Sequence, residues 1–163
     1  MSAAVFIRPS GRAFPARHLL MFSSFACGAV IAVLGLFQLP DLPSERILFG
    51  LLLGGLLFLS ASGFGMLLLP VGMAFYGLLS QSRVLSWYSE WNGSFFPVPS
   101  ALIVTTICVP LVYLAAFHGF CAASSLRRAL FRASPTARSE YQSEMAAASL
   151  FVLFTLSVVF YFT

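Results

Sequence analysis

Long apolar runs without a charged side chain constrain this chain more than any other feature of its sequence. They cover residues 19–39, 47–79, 99–120 and 145–163. A helix rises about 1.5 Å per residue, so the first run reaches about 30 Å, the thickness of a bilayer's hydrocarbon core. In lipid every backbone polar group must be paired within the protein, which makes such runs helical. We therefore predict an all-α polytopic integral membrane protein.

The composition excludes other classes of protein. Of 163 residues, 60% are hydrophobic and only 9% are charged, whereas about a quarter of the residues of a soluble domain are charged. The basic residues are nine arginines, and the net charge of +4 is scattered along the chain. A nucleic-acid-binding protein concentrates its basic residues in one stripe or patch. We expect the lipid bilayer, and no nucleic acid, as a partner.

The second apolar run is too long for a single crossing. Counted as one helix it would measure about 50 Å. Turn-forming residues, Ser60-Ala61-Ser62-Gly63, interrupt it, and Ser44 can cap a helix at its start. We predict a helical hairpin over 44–80, with spans 44–60 and 64–80 joined by a tight turn.

The chain is thus expected to have a cytoplasmic basic arm over 1–18 and one transmembrane domain over 19–163. Pro40 is expected to end the first span, and Pro135 fits the first turn of a helix that begins before the last span. Gly50 and Gly54 are spaced for close helix contact, within the chain or with a second copy. The five predicted spans are about 19–39, 44–60, 64–80, 99–120 and 145–163.

Arginine counts predict the topology. With five spans and a cytoplasmic N-terminus, seven arginines lie inside and two, Arg46 and Arg83, lie outside. This asymmetry follows the positive-inside rule. We predict a multi-pass protein of the bacterial cytoplasmic membrane with an extracytoplasmic C-terminus. The seven predicted inside are Arg8, Arg12, Arg17, Arg127, Arg128, Arg132 and Arg138.

No motif for catalysis or for cofactor or metal binding occurs in the sequence, so we predict a protein that is not an enzyme. The cysteines, Cys27, Cys108 and Cys121, lie in or beside apolar runs and are interpreted as small core residues. Ser62 and His118 allow an alternative, an intramembrane serine hydrolase of the rhomboid type. Ser60 stands where that motif needs glycine, and one span is missing.

Two segments are candidate contact sites. Val84, Trp87, Tyr88 and Trp91 share one helical face, which predicts a short helix in the outer membrane interface. This face either anchors the protein in the interface or docks an extracytoplasmic partner. The arginines of the predicted cytoplasmic loop 121–144 are candidate contacts for a cytoplasmic partner. They are Arg127, Arg128 and Arg132.

Residues 44–163 resemble the stage II sporulation protein M family. The resemblance rests on Ser60-Ala61-Ser62-Gly63-Phe64-Gly65, Leu68-Leu69-Pro70, Tyr76-Gly77, Pro97, Pro99, Phe117 to Phe120 and Leu126-Arg127-Arg128. It implies a five-span bacterial membrane protein. It also implies a scaffold that holds cell-wall hydrolases, in sporulation or in another process.

The expected function is therefore a non-catalytic membrane scaffold that recruits or anchors cell-wall-remodelling proteins. The alternative is a permease-like membrane subunit of an ATP-driven transporter. In that case the 121–144 segment would contact a cytoplasmic ATPase.

Overall fold

The computed structural model describes residues 13–35, 45–90, 100–132 and 135–162. These ranges form five α-helices and no strand, which confirms the predicted all-α fold. The helices are α1 Ala13–Val33, α2 Glu45–Ala61, α3 Gly65–Glu90, α4 Ser100–Arg132 and α5 Pro135–Phe162.

Helix length and exposure identify a polytopic membrane protein. Four helices, α1, α3, α4 and α5, are long and apolar enough to cross a membrane, and α2 contains the shorter apolar stretch Ile47–Ala61. Large apolar side chains cover the outside of the bundle: Leu51, Phe58 and Leu67 are each about 70% exposed. A soluble monomer rarely exposes so much contiguous apolar surface, whereas lipid solvates it.

Helix α4 is the centre of the bundle, because it packs against each of the other four helices. Its core-facing residues recur every three or four positions, as one helical stripe requires. Most are small or medium-sized, which lets neighbouring backbones approach closely. The buried stripe consists of Val104, Cys108, Val112, Ala115, Ala116 and Phe120.

The hairpin predicted over 44–80 is confirmed. Helix α2 ends at Ala61, and α3 begins at Gly65 after a turn in which Gly65 N–H donates to the Ser62 carbonyl at 3.1 Å. A Cβ on Gly65 would lie 2.9 Å from the Ala123 Cβ, so the turn packs directly on α4. Ser60 is fully buried against Gly119. Contact with α4 therefore buries both ends of the turn, at Ser60 and Gly65, while Gly63 and Phe64 stay exposed.

The glycines at the closest helix contact are not those expected from spacing. A Cβ on Gly28 of α1 would overlap the Ala74 carbonyl, and one on Gly77 of α3 would overlap the Phe25 carbonyl. By contrast, Gly50 and Gly54 are exposed, and a Cβ on either meets nothing within 4 Å. The predicted contact through Gly50 and Gly54 is thus absent within this chain. Both face outward because α2 turns its other side to α3 and α4.

The first helix begins and ends earlier than predicted. Helix α1 starts at Ala13, so residues 13–18 are helical rather than part of an irregular arm, and Pro15 lies in the first turn, where proline is tolerated. It ends at Val33. Gly35 follows with φ 63°, a left-handed conformation that suits glycine after a helix. Gly35, not Pro40, therefore marks the end of the first helix.

Helices α3, α4 and α5 are longer than the predicted spans. Helix α3 continues to Glu90, so residues 83–90 are its last turns and not a separate interfacial helix. Helix α4 continues to Arg132, and α5 starts at Pro135, as its first-turn proline predicted. The predicted loop 121–144 is thus mostly helical.

Successive helices run in alternate directions between two ends of the bundle. Arg17 of α1 contacts Ser124 late in α4, and Arg128 pairs with Glu140 early in α5. The α2–α3 turn lies at this same level, against Ala123. We call this the basic end. Arg83 lies at the opposite end, beside Thr105 early in α4. The grouping of the arginines agrees with five crossings, and the cytoplasmic location of the basic end stays a prediction.

Candidate functional site

Polar side chains concentrate at the basic end, where α1, α4 and α5 meet. The Arg17 guanidinium points from the first turns of α1 to Cys121 Sγ at 3.6 Å and to Ser124 Oγ at 3.5 Å. A cation thus lies beside α4 where the apolar run ends. Two polar contacts and the arginine stem fix the start of α1.

The next residue, His18, also joins α1 to α4, at positions on α4 further from its C-terminal end. Its Nδ1 lies 2.8 Å from the Tyr113 hydroxyl, and its ring stacks on Phe117 with centroids 3.8 Å apart. The imidazole nitrogen is thus hydrogen-bonded to the Tyr113 hydroxyl, and the face of the ring packs on Phe117.

His118 forms the corresponding link between α4 and α5. Its Nδ1 lies 2.6 Å from Glu144 Oε2, and its ring stacks on Phe151 at 5.6 Å between centroids. Both side chains are about 30% exposed. Each falls within a helix stretch apolar enough to span a membrane. Polar groups at such depth are stabilised by pairing with each other.

Past the His118–Glu144 contact, the last turns of α4 and the first turns of α5 continue side by side. Helix α4 has 33 residues and is about 50 Å long, well over the thickness of a hydrocarbon core. Its last turns extend about 10 Å past Ser125, at the level of the α2–α3 turn. Arg128 braces them against α5 through Glu140 Oε2, at 2.7 Å. We call residues 126–132 and 135–140 the arginine hairpin.

The arginine hairpin carries an exposed apolar face next to its cations. Leu130 is 70% exposed and Phe131 is 80% exposed. The Arg127 guanidinium lies over the Phe131 ring, 5.9 Å from its centroid. A cavity of about 340 Å³ opens between Phe131, Arg127 and the first turn of α3 at Met66. This face combines aromatic, aliphatic and cationic groups on a rigid helix.

The structure separates the two predicted contact sites. Arg127 and Arg128 lie on helix α4 at the basic end, and Arg132 is its last residue, with a side chain outside the description. At the opposite end, Val84 is half-buried and Tyr88 is 64% exposed on the last turns of α3. The Trp87 side chain and residue Trp91 lie outside the description.

The pairing that an intramembrane serine hydrolase would need is not formed. The Ser62 hydroxyl donates to the Leu59 carbonyl at 2.9 Å, and the His118 Nδ1 is paired with Glu144. Within the described ranges, no group of three or more His, Cys, Asp or Glu side chains is placed to hold a metal ion. Of the cysteines, Cys108 and Cys121 are buried as predicted, but Cys27 is exposed on α1.

Two polar contacts at the basic end, His18–Tyr113 and His118–Glu144, were not predicted from the sequence. His18 and Glu144 each stand at the edge of an apolar run, directly before 19–39 and 145–163. A titratable residue at such an edge is the signal that could have found them, since it must pair or reach water. Their partners, Tyr113 and His118, lie 95 and 26 residues away in sequence.

Comparison with protein-family models, curated proteins and solved structures gives no match for this chain.

The positions of residues at the two ends of the bundle predict which introduced cysteines can be labelled from the same side of a membrane. In a chain with Cys27, Cys108 and Cys121 replaced by alanine, we expect Gly63→Cys and Arg138→Cys to react from one side only. Ser86→Cys should react from the other side, because five crossings place 63 and 138 together and 86 opposite. Labelling of sealed cells with a membrane-impermeant maleimide measures this.

In this labelling experiment, permeabilised cells give the total reactivity of each position. Labelling of 63 and 86 from the same side would contradict the crossing of α3. Reaction of Ser86→Cys alone in intact cells would support a cytoplasmic basic end.

Proposed function

We propose that this protein is a non-catalytic membrane scaffold that binds a protein partner on the exposed face of the arginine hairpin. The observation that carries the proposal is the projection of Leu130 and Phe131 beyond the bundle, beside Arg127. Helix α4 is longer than a hydrocarbon core is thick, so we expect its last turns to reach beyond the lipid, where a partner can contact these side chains.

The chemistry of this face defines its partner. Aromatic and arginine side chains supply most of the binding energy at protein interfaces, and complementary charge directs association. Arg127 and the exposed Arg138 make the hairpin cationic. A partner with an apolar patch rimmed by carboxylates fits it. The Arg128–Glu140 pair holds the two helices together, so little ordering free energy is lost on binding.

The opposite end supports a second contact. Tyr88, a member of the predicted contact face, is exposed there on α3. The resemblance to the stage II sporulation protein M family supports cell-wall-remodelling proteins as the partner class at this end. A scaffold with both contacts would join a cytoplasmic protein to wall remodelling across the bacterial cytoplasmic membrane. A role in sporulation is part of the same expectation.

A permease-like subunit of an ATP-driven transporter is the second candidate. The same arginine hairpin favours it, because a rigid helical pair that projects from the membrane can contact an ATPase. The two candidates differ in the partner that the hairpin captures. A nucleotide-binding protein supports the transporter, and a protein without a nucleotide site supports the scaffold.

Crosslinking from the hairpin tests the proposal. A photoreactive amino acid at Leu130, in the native host, should yield one dominant protein adduct. Phe131→Ala should lower that yield about tenfold or more, the loss expected when an aromatic hot-spot residue is truncated. Arg127→Glu should lower it as well, since it reverses the charge that faces the partner. Mass spectrometry of the adduct identifies the partner.

Two controls accompany this crosslinking experiment. The photoreactive group at Leu67, which is exposed on the lipid-facing side of α3, should give no protein adduct. Arg83→Gln removes an arginine at the opposite end of the bundle and should leave the yield within about twofold, because its charge lies far from the hairpin and is screened. Equal adducts from Leu130 and Leu67, or an unchanged yield in Phe131→Ala, would contradict partner binding at this face.

A further inference from the structure

An apolar groove runs along the outside of the bundle between α2 and α3. Its volume is about 320 Å³, and α4 forms its floor at Val112 and Ala116. Two glycines keep it open: a Cβ on Gly55 or on Gly72 meets nothing within 4 Å. The remaining walls are leucine, methionine and aromatic side chains, so the groove suits a hydrocarbon chain. We call it the α2–α3 groove.

At the opposite end of the bundle from the arginine hairpin, the groove meets a small recess. Four of its lining residues are apolar, and we name it the polar recess after the other four. Tyr76, Ser80 and Arg83 follow at i, i+4 and i+7 on one face of α3 and line this recess with Thr105 of α4. The recess is small, about 10 Å³, which is room for about one water or one ligand oxygen. Tyr76 lines both the recess and the groove.

The Tyr76 hydroxyl is an unsatisfied donor. Tyr76 is 2% exposed, and among the described side chains its hydroxyl is buried without a hydrogen-bond partner. A buried polar group without a partner is destabilising, and native structures contain few of them. A hydroxyl so placed, at the junction of an apolar groove and a polar recess, fits an acceptor oxygen brought by a ligand.

Arg83 is a cationic side chain at this end. Its guanidinium lies 5.1 Å from the centroid of the Phe49 ring, and the same ring meets Tyr76 edge-on at 6.3 Å. Phe49 thus holds the cation and the phenol around one recess. A cation, then a hydroxyl donor, then an apolar groove follow one another along the bundle. This order matches a ligand with an anionic head and a hydrocarbon tail.

The length of the groove fits one leaflet of a bilayer. It extends along α2 from Leu48 to Leu59, about 17 Å at about 1.5 Å per residue. Half of a hydrocarbon core is about 15 Å. A second protein helix, about 10 Å wide, is too broad for a groove of this volume. A free phosphate ion would leave the apolar walls uncovered.

We propose that the α2–α3 groove binds one acyl chain of an anionic glycerophospholipid. Arg83 faces the lipid phosphate, and the Tyr76 hydroxyl donates a hydrogen bond to a lipid oxygen. The site lies away from the arginine hairpin and does not depend on the scaffold proposal. The bound lipid is a fixed component of the bundle and covers the gap between α2 and α3.

Native mass spectrometry of the full chain in detergent tests the proposal. After delipidation, phosphatidylglycerol and phosphatidylcholine with identical acyl chains are added separately. We expect one tightly bound phosphatidylglycerol per chain and about fivefold weaker binding of phosphatidylcholine, because the choline cation cancels the phosphate charge that one arginine attracts in phosphatidylglycerol. Arg83→Gln should remove this preference. Tyr76→Phe should weaken both lipids about fivefold through the lost hydrogen bond.

Filling the groove should abolish tight binding of both lipids. Gly72→Leu does this from α3, and Gly55→Leu does it from α2 if the first variant fails to fold. Gly50→Leu adds the same side chain on an exposed face outside the groove and should bind like the unaltered protein. Arg138→Gln is the matched arginine control. Equal affinity for the two lipids, or equal binding by the Gly55, Gly72 and Gly50 variants, overturns the proposal.

Discussion

Replacing Gly28 or Gly77 with leucine should prevent the bundle from assembling. A side chain at either position would overlap a backbone carbonyl, of Ala74 or of Phe25 respectively. A backbone carbonyl inside a helix cannot rotate away as a side chain can, so α1 would have to separate from α3. We expect the free energy of unfolding to fall by more than about 4 kcal/mol, the range of the most severe single substitutions.

The matched controls for this prediction are Gly50→Leu and Gly54→Leu on α2. Both positions are exposed glycines in helices, but a Cβ at either meets nothing within 4 Å. These variants should accumulate and elute as one species like the unaltered protein. Fluorescence-detected size exclusion and thermal unfolding in detergent measure the difference. Similar behaviour of all four variants would contradict the close α1–α3 contact.

The His118–Glu144 pair should be strongly coupled. His118→Leu leaves the Glu144 carboxylate without its partner within a membrane-spanning stretch, and Glu144→Leu leaves the imidazole in the same position. We expect each single change to lower the free energy of unfolding by about 1–3 kcal/mol, the cost of an unsatisfied polar group. The double change removes both polar groups and should be more stable than either single variant.

The Arg128–Glu140 pair is the control for this double-mutant cycle. It joins the same two helices at 2.7 Å, but its side chains are 46% and 36% exposed. An exposed ion pair is worth about 0.2–1 kcal/mol, so its coupling energy should be the smaller. Reversible unfolding of both sets of variants measures the two coupling energies. Strictly additive effects at His118 and Glu144 would show that the contact does not stabilise the bundle.

Much of the architecture could be predicted because it depends on local sequence. The apolar runs demand helices, since lipid offers no hydrogen bonds to the backbone. Ser60 to Gly63 predicted the turn between α2 and α3, and Pro135 predicted the start of α5 before the last span. The arginine counts predicted an alternation of helices that the contacts of Arg17 and Arg128 support.

The ends of the helices could not be read from hydropathy. Apolar runs mark what lies in lipid, whereas a helix continues for as long as its backbone and neighbours allow. Helix α4 extends to Arg132 alongside α5, and the Arg128–Glu140 ion pair connects the two extensions. The arginine hairpin is therefore a product of contact between two helices.

The sequence by itself determined the membrane class, the helical hairpin over 44–80 and the grouping of the described arginines. Only the tertiary structure decided which side of each helix faces protein. From sequence alone, Gly50 and Gly54 are as suitable for close helix packing as Gly28 is. The rotation of α2 nevertheless turns Gly50 and Gly54 outward. The same rotation opens the groove beside Tyr76, and the approach of α5 to α4 pairs His118 with Glu144. In an almost uniformly apolar chain, periodicity distinguishes the faces of a helix poorly, because lipid and protein core accept the same side chains.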